Sequence, residues 1–285
     1  MSGDFLGGMA ASSRLRSAAA QVSLPARELR ARIADLPPAP ALSLARFDLI
    51  AEVKLRSPAV GLLRHAAAED VGARVATYAR AGAAAVSILT EPSRFDGSLD
   101  DLAAGARALT PLSVPAMRKD FLVDDYQVLE GRLAGAGGVL AILRMLPRAD
   151  LELLIDTALG LDMFVLLETF DETDIALAHA LVDARRKHYA LLLVGVNSRD
   201  LATLQVVPGR LDELAASLPT SVARVAESGV ATPADAARVA ANGYDAALVG
   251  SALMSAPDPA ALTRAMLTAG RAASETRAAR VTGGA

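Results

Sequence analysis

The chain has 285 residues, enough for one large domain with a substantial core or for two modest ones. Hydrophobic residues make up 53% and charged residues 21%, and the net charge is only -3, so nothing in the balance draws in nucleic acid. There is no cysteine, which removes disulfides, thiolate metal sites and a cysteine nucleophile.

The chain starts Met-Ser-Gly-Asp-Phe, without a basic n-region or a long apolar stretch behind it, and does not read as a secretory signal. Its longest apolar runs, such as 189–196, fall well short of the ~20 residues a spanning helix needs. A cytoplasmic monomer with neither membrane nor nucleic-acid partners is expected. Residues 1–46 are predicted to form an N-terminal helical extension, with helices over 12–21 and 25–36 and then a proline-rich connector, Leu36-Pro-Pro-Ala-Pro. The extension is expected to cap one mouth of the domain that follows.

From about residue 47 a short apolar run recurs every 20 to 35 residues: 49–53, 84–89, 114–117, 138–142, 163–167, 191–196, 222–226 and 246–249. The runs are continuous rather than alternating, as parallel strands covered on both faces should be. Amphipathic helical stretches lie between them, for example 67–81, 99–109, 151–159 and 233–242. Ser98 before Leu-Asp-Asp and Thr232-Pro233 are helix starts, while Ala81-Gly82, Leu159-Gly160 and Asn242-Gly243 are stops. Eight strands alternating with helices predict an α/β fold, a (β/α)8 TIM barrel over residues 47–272, followed by a flexible tail at 273–285. An open doubly wound sheet is the competing architecture. It would place a glycine-rich turn after its first strand, and here Gly135-Ala-Gly137-Gly138 precedes a strand instead.

In this architecture chemistry gathers at the C-terminal ends of the strands, and those ends carry the chain's unusual residues. Positive charge is written almost wholly as arginine; the only lysines are Lys54, Lys119 and Lys187, and the first two close apolar runs. An arginine stays protonated, whereas a lysine can give up a proton. Alternation puts Glu52 and Lys54 on one face of the first strand. It likewise pairs Lys119 with Phe121, with Arg118 and Asp120 opposite, and Leu166 with Glu168. Asn197 ends the sixth strand and precedes Ser198-Arg199-Asp200. The seventh ends Glu227-Ser228-Gly229 and the eighth Gly250-Ser251. Two ammonium groups, three carboxylates and an amide would thus meet at one mouth, a costly burial unless it serves chemistry. Ser228, Gly229, Gly250 and Ser251 supply small residues and free backbone N–H groups where barrels bind phosphate.

These stretches resemble the indole-3-glycerol-phosphate synthase family of tryptophan biosynthesis. The matches are Ile50-Ala-Glu-Val-Lys54 with Ser57-Pro58, Ser87-Ile-Leu-Thr90, Phe95-Asp-Gly-Ser-Leu-Asp-Asp-Leu102 and Arg118-Lys-Asp-Phe121. They continue through Gly195-Val-Asn-Ser-Arg-Asp-Leu201, Ala226-Glu-Ser-Gly229 and Leu248-Val-Gly-Ser-Ala-Leu-Met254, in the family's order, over about residues 47–255. The resemblance implies a carboxy-lyase. It closes the ring of 1-(2-carboxyphenylamino)-1-deoxy-D-ribulose 5-phosphate, then releases carbon dioxide and water to give indole-3-glycerol phosphate.

By that resemblance the catalytic set is Glu52, Lys54, Lys119, Glu168 and Asn197. Lys119 is the acid that protonates the ketone oxygen and Lys54 supplies the dehydration proton. Glu52 and Glu168 orient the lysines, one of them, with Glu52 favoured, serving as base, and Asn197 holds substrate hydroxyls. Ser57, Pro58, Phe95, Phe121, Leu140, Arg199 and Glu227 are expected to contact substrate, with Arg199 and Ser57 toward its carboxylate. Ile142, Leu166 and Leu201 also fall at family pocket positions. Ser228, Gly229, Gly250 and Ser251 would cradle the phosphate. No cofactor or metal is required, since side chains supply every acid and base. The alternatives are another phosphate-binding barrel enzyme, such as phosphoribosylanthranilate isomerase, and a catalytically impaired paralogue that only binds a phosphorylated ligand. Two departures stand out. The family's Ser-Pro-Ser-x-Gly is Ser57-Pro58-Ala59-Val60-Gly61 here, and the common Val-His after Glu168 is Thr169-Phe170.

Overall fold

The computed structural model describes residues 5–59, 61–65 and 69–283. Eight parallel strands close into a barrel: β1 (Asp48–Val53), β2 (Ala85–Leu89), β3 (Ala116–Lys119), β4 (Gly138–Ile142), β5 (Phe164–Thr169), β6 (Leu192–Asn197), β7 (Ala223–Glu227) and β8 (Ala246–Val249). Each pairs with its sequence neighbour and β8 pairs back with β1, with Asp48 opposite Ala246. Each strand begins and ends within a few residues of its predicted run, and the fold is the predicted (β/α)8 barrel.

The pleat sorts the strands into two layers. Leu49, Ala51 and Val53 of β1, Val165 and Leu167 of β5, and Val194 and Val196 of β6 face the surrounding helices. Ile50, Met117, Leu140, Leu166, Leu193, Val225 and Leu248 fill the interior. Each such side chain, taken out of water, contributes about 1.5–3 kcal/mol. One pleat repeat above that apolar plug come Glu52, Lys119, Glu168 and Glu227, and two repeats above Leu193 comes Asn197. The alternation that buries the core thus also aims the charged groups along the barrel axis.

The helices are α1 (Phe5–Ser23), α2 (Ala26–Ala34), α3 (Val71–Arg80), α4 (Pro92–Phe95), α5 (Leu99–Leu109), α6 (Asp125–Leu133), α7 (Arg148–Leu159), α8 (Glu172–Asp183), α9 (Arg210–Leu214), α10 (Pro233–Ala241), α11 (Ser251–Ser255) and α12 (Pro259–Gly283). The predicted caps are present. Ser98 Oγ accepts from the Asp101 amide at 3.0 Å, and Thr232 and Asp235 form a capping box at α10. Residues 66–68, at the predicted start of the helix over 67–81, and Val60 in the loop after β1 lie outside the described residues.

Two features depart from the predicted elements. Residues 273–283, predicted as tail, continue α12. Alanine and arginine favour helix there, and the inner face is tied to β1: Arg271 Nη2 lies 2.6 Å from Asp48 and the Ser274 hydroxyl donates to Arg46 O at 3.1 Å. At the other end α1 starts seven residues before the predicted helix and packs through a polar stripe. Ser13 accepts from Gln127 Nε2 at 2.9 Å, the Ser17 hydroxyl donates to Asp124 at 2.6 Å, and Arg16 forms a two-pronged pair with Asp120 at 2.8 and 2.9 Å. The Tyr126 hydroxyl donates back to Leu24 O at 2.7 Å. These bonds fasten α1 to the segment that leaves β3, next to the strand ends.

Candidate active site

A cavity of about 320 Å³ opens at the C-terminal ends of the strands, and every catalytic, substrate and phosphate residue expected from the sequence lines it. Glu52 of β1 and Lys54 just beyond its end form an ion pair at 2.7 Å, the carboxylate buried and the ammonium partly exposed to the cavity. Lys119 enters from β3, and Phe121 beside it. Arg118 points outward, as alternation requires, and is fully buried, its Nη1 donating to Gln127 O at 2.5 Å and lying 3.3 Å from Glu130. Asp120 lies on the Arg118 side, as alternation requires, 3.5 Å from Arg118 Nη2, and at the edge of the cavity wall it accepts from Arg16, from Thr90 Oγ1 at 2.7 Å and from the Phe121 amide at 2.8 Å.

On the far wall the Asn197 amide donates to Glu168 Oε1, and Asn197 Oδ1 accepts from the Arg199 amide at 2.9 Å. Asn197 is therefore engaged by its protein neighbours at both ends of its side chain, which fixes the Glu168 carboxylate. Arg199 Nη1 donates to Leu204 O at 2.6 Å, holding the half-buried guanidinium at the rim. Glu227 is buried on β7, and among the described residues neither of its oxygens has a hydrogen-bond partner.

The charges shift one another in opposed ways. Burial would push the Glu52 carboxyl up, but Lys54 and Lys119 outweigh it and hold the group below the ordinary carboxylate range. Burial would lower Lys119, yet Glu168, Glu52 and Glu227 raise it above the usual lysine value. Burial and the neighbouring Glu168 push Glu227 well above the usual range, against the pull of Lys119. Burial lowers Arg199, with Glu52 opposing.

At the ends of β7 and β8, Ser228 and Gly229 adopt consecutive left-handed backbones, φ 63° and 71°. Gly250 faces the ion pair, and a Cβ there would collide with Glu52 Oε1 and stand 3.0 Å from Lys54 Nζ. Phe95, Phe121 and Phe5 form an aromatic wall, with ring centroids 6.2 Å apart for Phe95–Phe121 and 5.9 Å for Phe5–Phe121.

Of the additional pocket positions, Ile142 and Leu201 line the cavity, whereas Leu166 lies in the plug beneath it. Ala59 lines the wall where the family writes serine. The second departure turns away. Thr169 Oγ1 donates to Gly195 O at 2.7 Å, and Phe170 is buried under the Arg144 guanidinium at 4.6 Å. Leu89, Leu248 and Phe5 also line the cavity and were not expected. Alternation along β2 and β8 would have found the first two. Nothing local to Phe5 signals that α1 returns to the mouth.

A family model described as indole-3-glycerol phosphate synthase matches residues 11–266. Curated relatives include indole-3-glycerol phosphate synthase from Parafrankia, 41% identical over 80% of this chain and 81% of that protein. Indole-3-glycerol phosphate synthase 1 from Streptomyces coelicolor is 40% identical over 88% and 89%. The Mycobacterium tuberculosis protein of the same name is 39% identical over 89% and 90%. Among solved structures, thiamine phosphate pyrophosphorylase from Pyrococcus furiosus superposes with a TM-score of 0.57 at 14% identity, over 80% of this chain and 97% of that one. A structure titled native KDPGal gives 0.56 at 21%, over 80% and 96%. At such identities these two establish the barrel alone.

Proposed function

The chain belongs to the indole-3-glycerol phosphate synthase family, carboxy-lyases of tryptophan biosynthesis, and we propose that the cavity at its barrel mouth carries out that reaction with the residues that line it. The observation that carries the residue assignment is the convergence of Lys54 and Lys119, with Glu52, Glu168 and Glu227, on one small cavity.

The chemistry makes separate demands on these groups. Ring closure needs an aromatic carbon to attack the substrate ketone while an acid protonates its oxygen. Lys119 is that acid. Its neighbours keep it charged, and it makes no direct ion pair among the described residues, so its proton is free for substrate. Loss of the substrate carboxylate as carbon dioxide then restores the aromatic ring. Dehydration needs a proton on the departing hydroxyl and a base for the ring proton. Lys54 and Glu52, 2.7 Å apart, form a matched acid and base for that step. Glu168, fixed by Asn197, stabilises the positive charge that develops on the anilino nitrogen.

The aryl ring lies against Phe95, Phe121, Pro58 and Leu140, with the substrate carboxylate toward Arg199 and Ser57. Ser228, Gly229, Gly250 and Ser251 hold the phosphate, as the loops after the last two strands do in many barrels. The N-terminal extension caps the mouth, its Phe5 completing the aromatic wall, and residues 47–272 form the catalytic domain. The enzyme acts as a cytoplasmic monomer. Among the described residues no helix is long and apolar enough to cross a membrane.

The direct test is to mix the purified chain with the carboxyphenylamino deoxyribulose phosphate and follow indole fluorescence. Turnover supports the assignment. Binding without turnover contradicts it.

A further inference from the structure

Glu227 is the one acidic group of the cavity left over once Glu52 has its lysine and Glu168 its asparagine. It lies on β7, 1% exposed, and among the described residues neither carboxyl oxygen has a hydrogen-bond donor. No lysine or arginine nitrogen among the described residues comes within ion-pairing distance, whereas Glu52 has Lys54 at 2.7 Å. Leaving an ion in such a place without partners costs several kcal/mol. A neutral carboxylic acid costs far less, and it carries a proton that looks for an acceptor.

The surroundings press the same way. In register, Gly195 of β6 stands opposite Glu168 and Asn197 of β6 opposite Glu227, so the two carboxyl groups flank β6 from either side. The Asn197 amide donates to Glu168, so Glu168 has a donor that Glu227 lacks. Gly195 leaves room for Glu227 to lean inward, since a Cβ there would collide with its Oε1. The groups that act on it are Glu168 on β5, Lys119 on β3 and Glu52 on β1, and two of these three are negative. With Glu227 neutral, Lys54, Lys119 and Arg199 outnumber Glu52 and Glu168, which suits a substrate bearing both a carboxylate and a phosphate.

We infer that Glu227 is carried as an un-ionised carboxylic acid and binds the substrate as a hydrogen-bond donor, through its O–H to a substrate oxygen. The inference rests on the proposed reading of the cavity. It divides the carboxyl groups by state, with Glu52 and Glu168 accepting and Glu227 donating. The proton stays on Glu227 throughout the cycle, so the proton balance of ring closure and dehydration is unchanged.

The test separates the state of Glu227 from the activity. Infrared difference spectra of wild type against Glu227→Gln are recorded at neutral pH without substrate. They should show the carbonyl stretch of a protonated carboxylic acid in wild type only. Glu227→Gln, which keeps a donor, should hold KM within a few-fold of wild type, whereas Glu227→Ala raises it at least tenfold. The folded protein holds this proton more tightly than the unfolded chain does, so stability is lost as pH rises above the ordinary carboxylate range. The glutamine variant should therefore melt above wild type at pH 8, with the gap closing toward pH 4. Absence of the carbonyl band together with no pH-dependent gap in melting would overturn the inference. So would a KM for the glutamine variant as poor as that of alanine. If wild type shows the band but does not turn over, the reaction assignment fails and the protonation of Glu227 stands.

Discussion

Arg16 is predicted to hold the N-terminal helix in place for catalysis as well as for stability. Its guanidinium meets the Asp120 carboxylate with two bonds of 2.8 and 2.9 Å, and Asp120 directly follows Lys119, the proposed acid. The Arg16 side chain is 27% exposed and that of Asp120 fully buried, so the pair is only lightly screened. Arg16→Ala removes the two charge-assisted bonds but leaves Asp120 with Thr90, the Phe121 amide and Arg118 at 3.5 Å. The expected cost is therefore about 1.5–3 kcal/mol, the range for hydrogen bonds to charged groups. Asp120→Asn leaves two guanidinium groups facing one neutral amide and should cost about 3–5 kcal/mol. At about 2–4 °C per kcal/mol for a domain of this class, the melting temperature falls by about 3–12 °C and about 6–20 °C respectively. The double variant should lose less than the sum, with a coupling of about 1–3 kcal/mol in a denaturation cycle. Because α1 carries Phe5 into the cavity, Arg16→Ala should also raise KM several-fold while kcat changes less. Strictly additive stability effects together with an unchanged KM would refute the reasoning.

Other consequences follow from the same geometry. Gly250→Ala places a methyl against Glu52 and Lys54, and kcat should fall at least tenfold while the melting temperature moves by only a few degrees; thermal melts and steady-state kinetics check both. Glu168→Gln removes the strongest of the charges that raise Lys119, so the alkaline limb of the residual kcat profile should move to lower pH than in wild type. Asp120 is also pH-linked. Burial would raise it, but Arg16 and Arg118 hold it below the usual carboxylate value, so its stabilising effect is present above that value and lost as pH falls. Asp120→Asn should therefore show a shallower acid limb of stability than wild type, measured as melting temperature from neutral pH down to about pH 3.

Much of the fold was legible because each barrel strand is a continuous apolar run broken by a helix with its own caps, as at Ser98 and Thr232-Pro233. The polar ends were legible for a related reason. A pleat that buries Ile50 and Leu166 must deliver Glu52 and Glu168 to the same interior two residues later. Asp120 falls on the Arg118 side that the same pattern gives it, but its pairing with Arg16 of α1 was beyond the reach of any local pattern. The role of α1 was illegible for a different reason. Its docking face adds Ser13, Arg16 and Ser17 to the buried Met9 and Ala10, and that polar half looks in sequence like a solvated one. Their partners lie about a hundred residues away, so only the folded chain brings Phe5 to Phe121. The continuation of α12 over residues 273–283 depends likewise on Arg46 and Asp48, which the local composition of the tail does not contain.

The proposed reaction turns on Lys119 as the group that protonates the substrate ketone. The most direct measurement compares wild type with Lys119→Met, following indole fluorescence for turnover and calorimetry for substrate binding. Wild-type turnover, with a variant that still binds substrate within about tenfold yet has lost at least a hundredfold in kcat, is the predicted result, the size expected for a positioned acid. A variant that keeps wild-type kcat would contradict it.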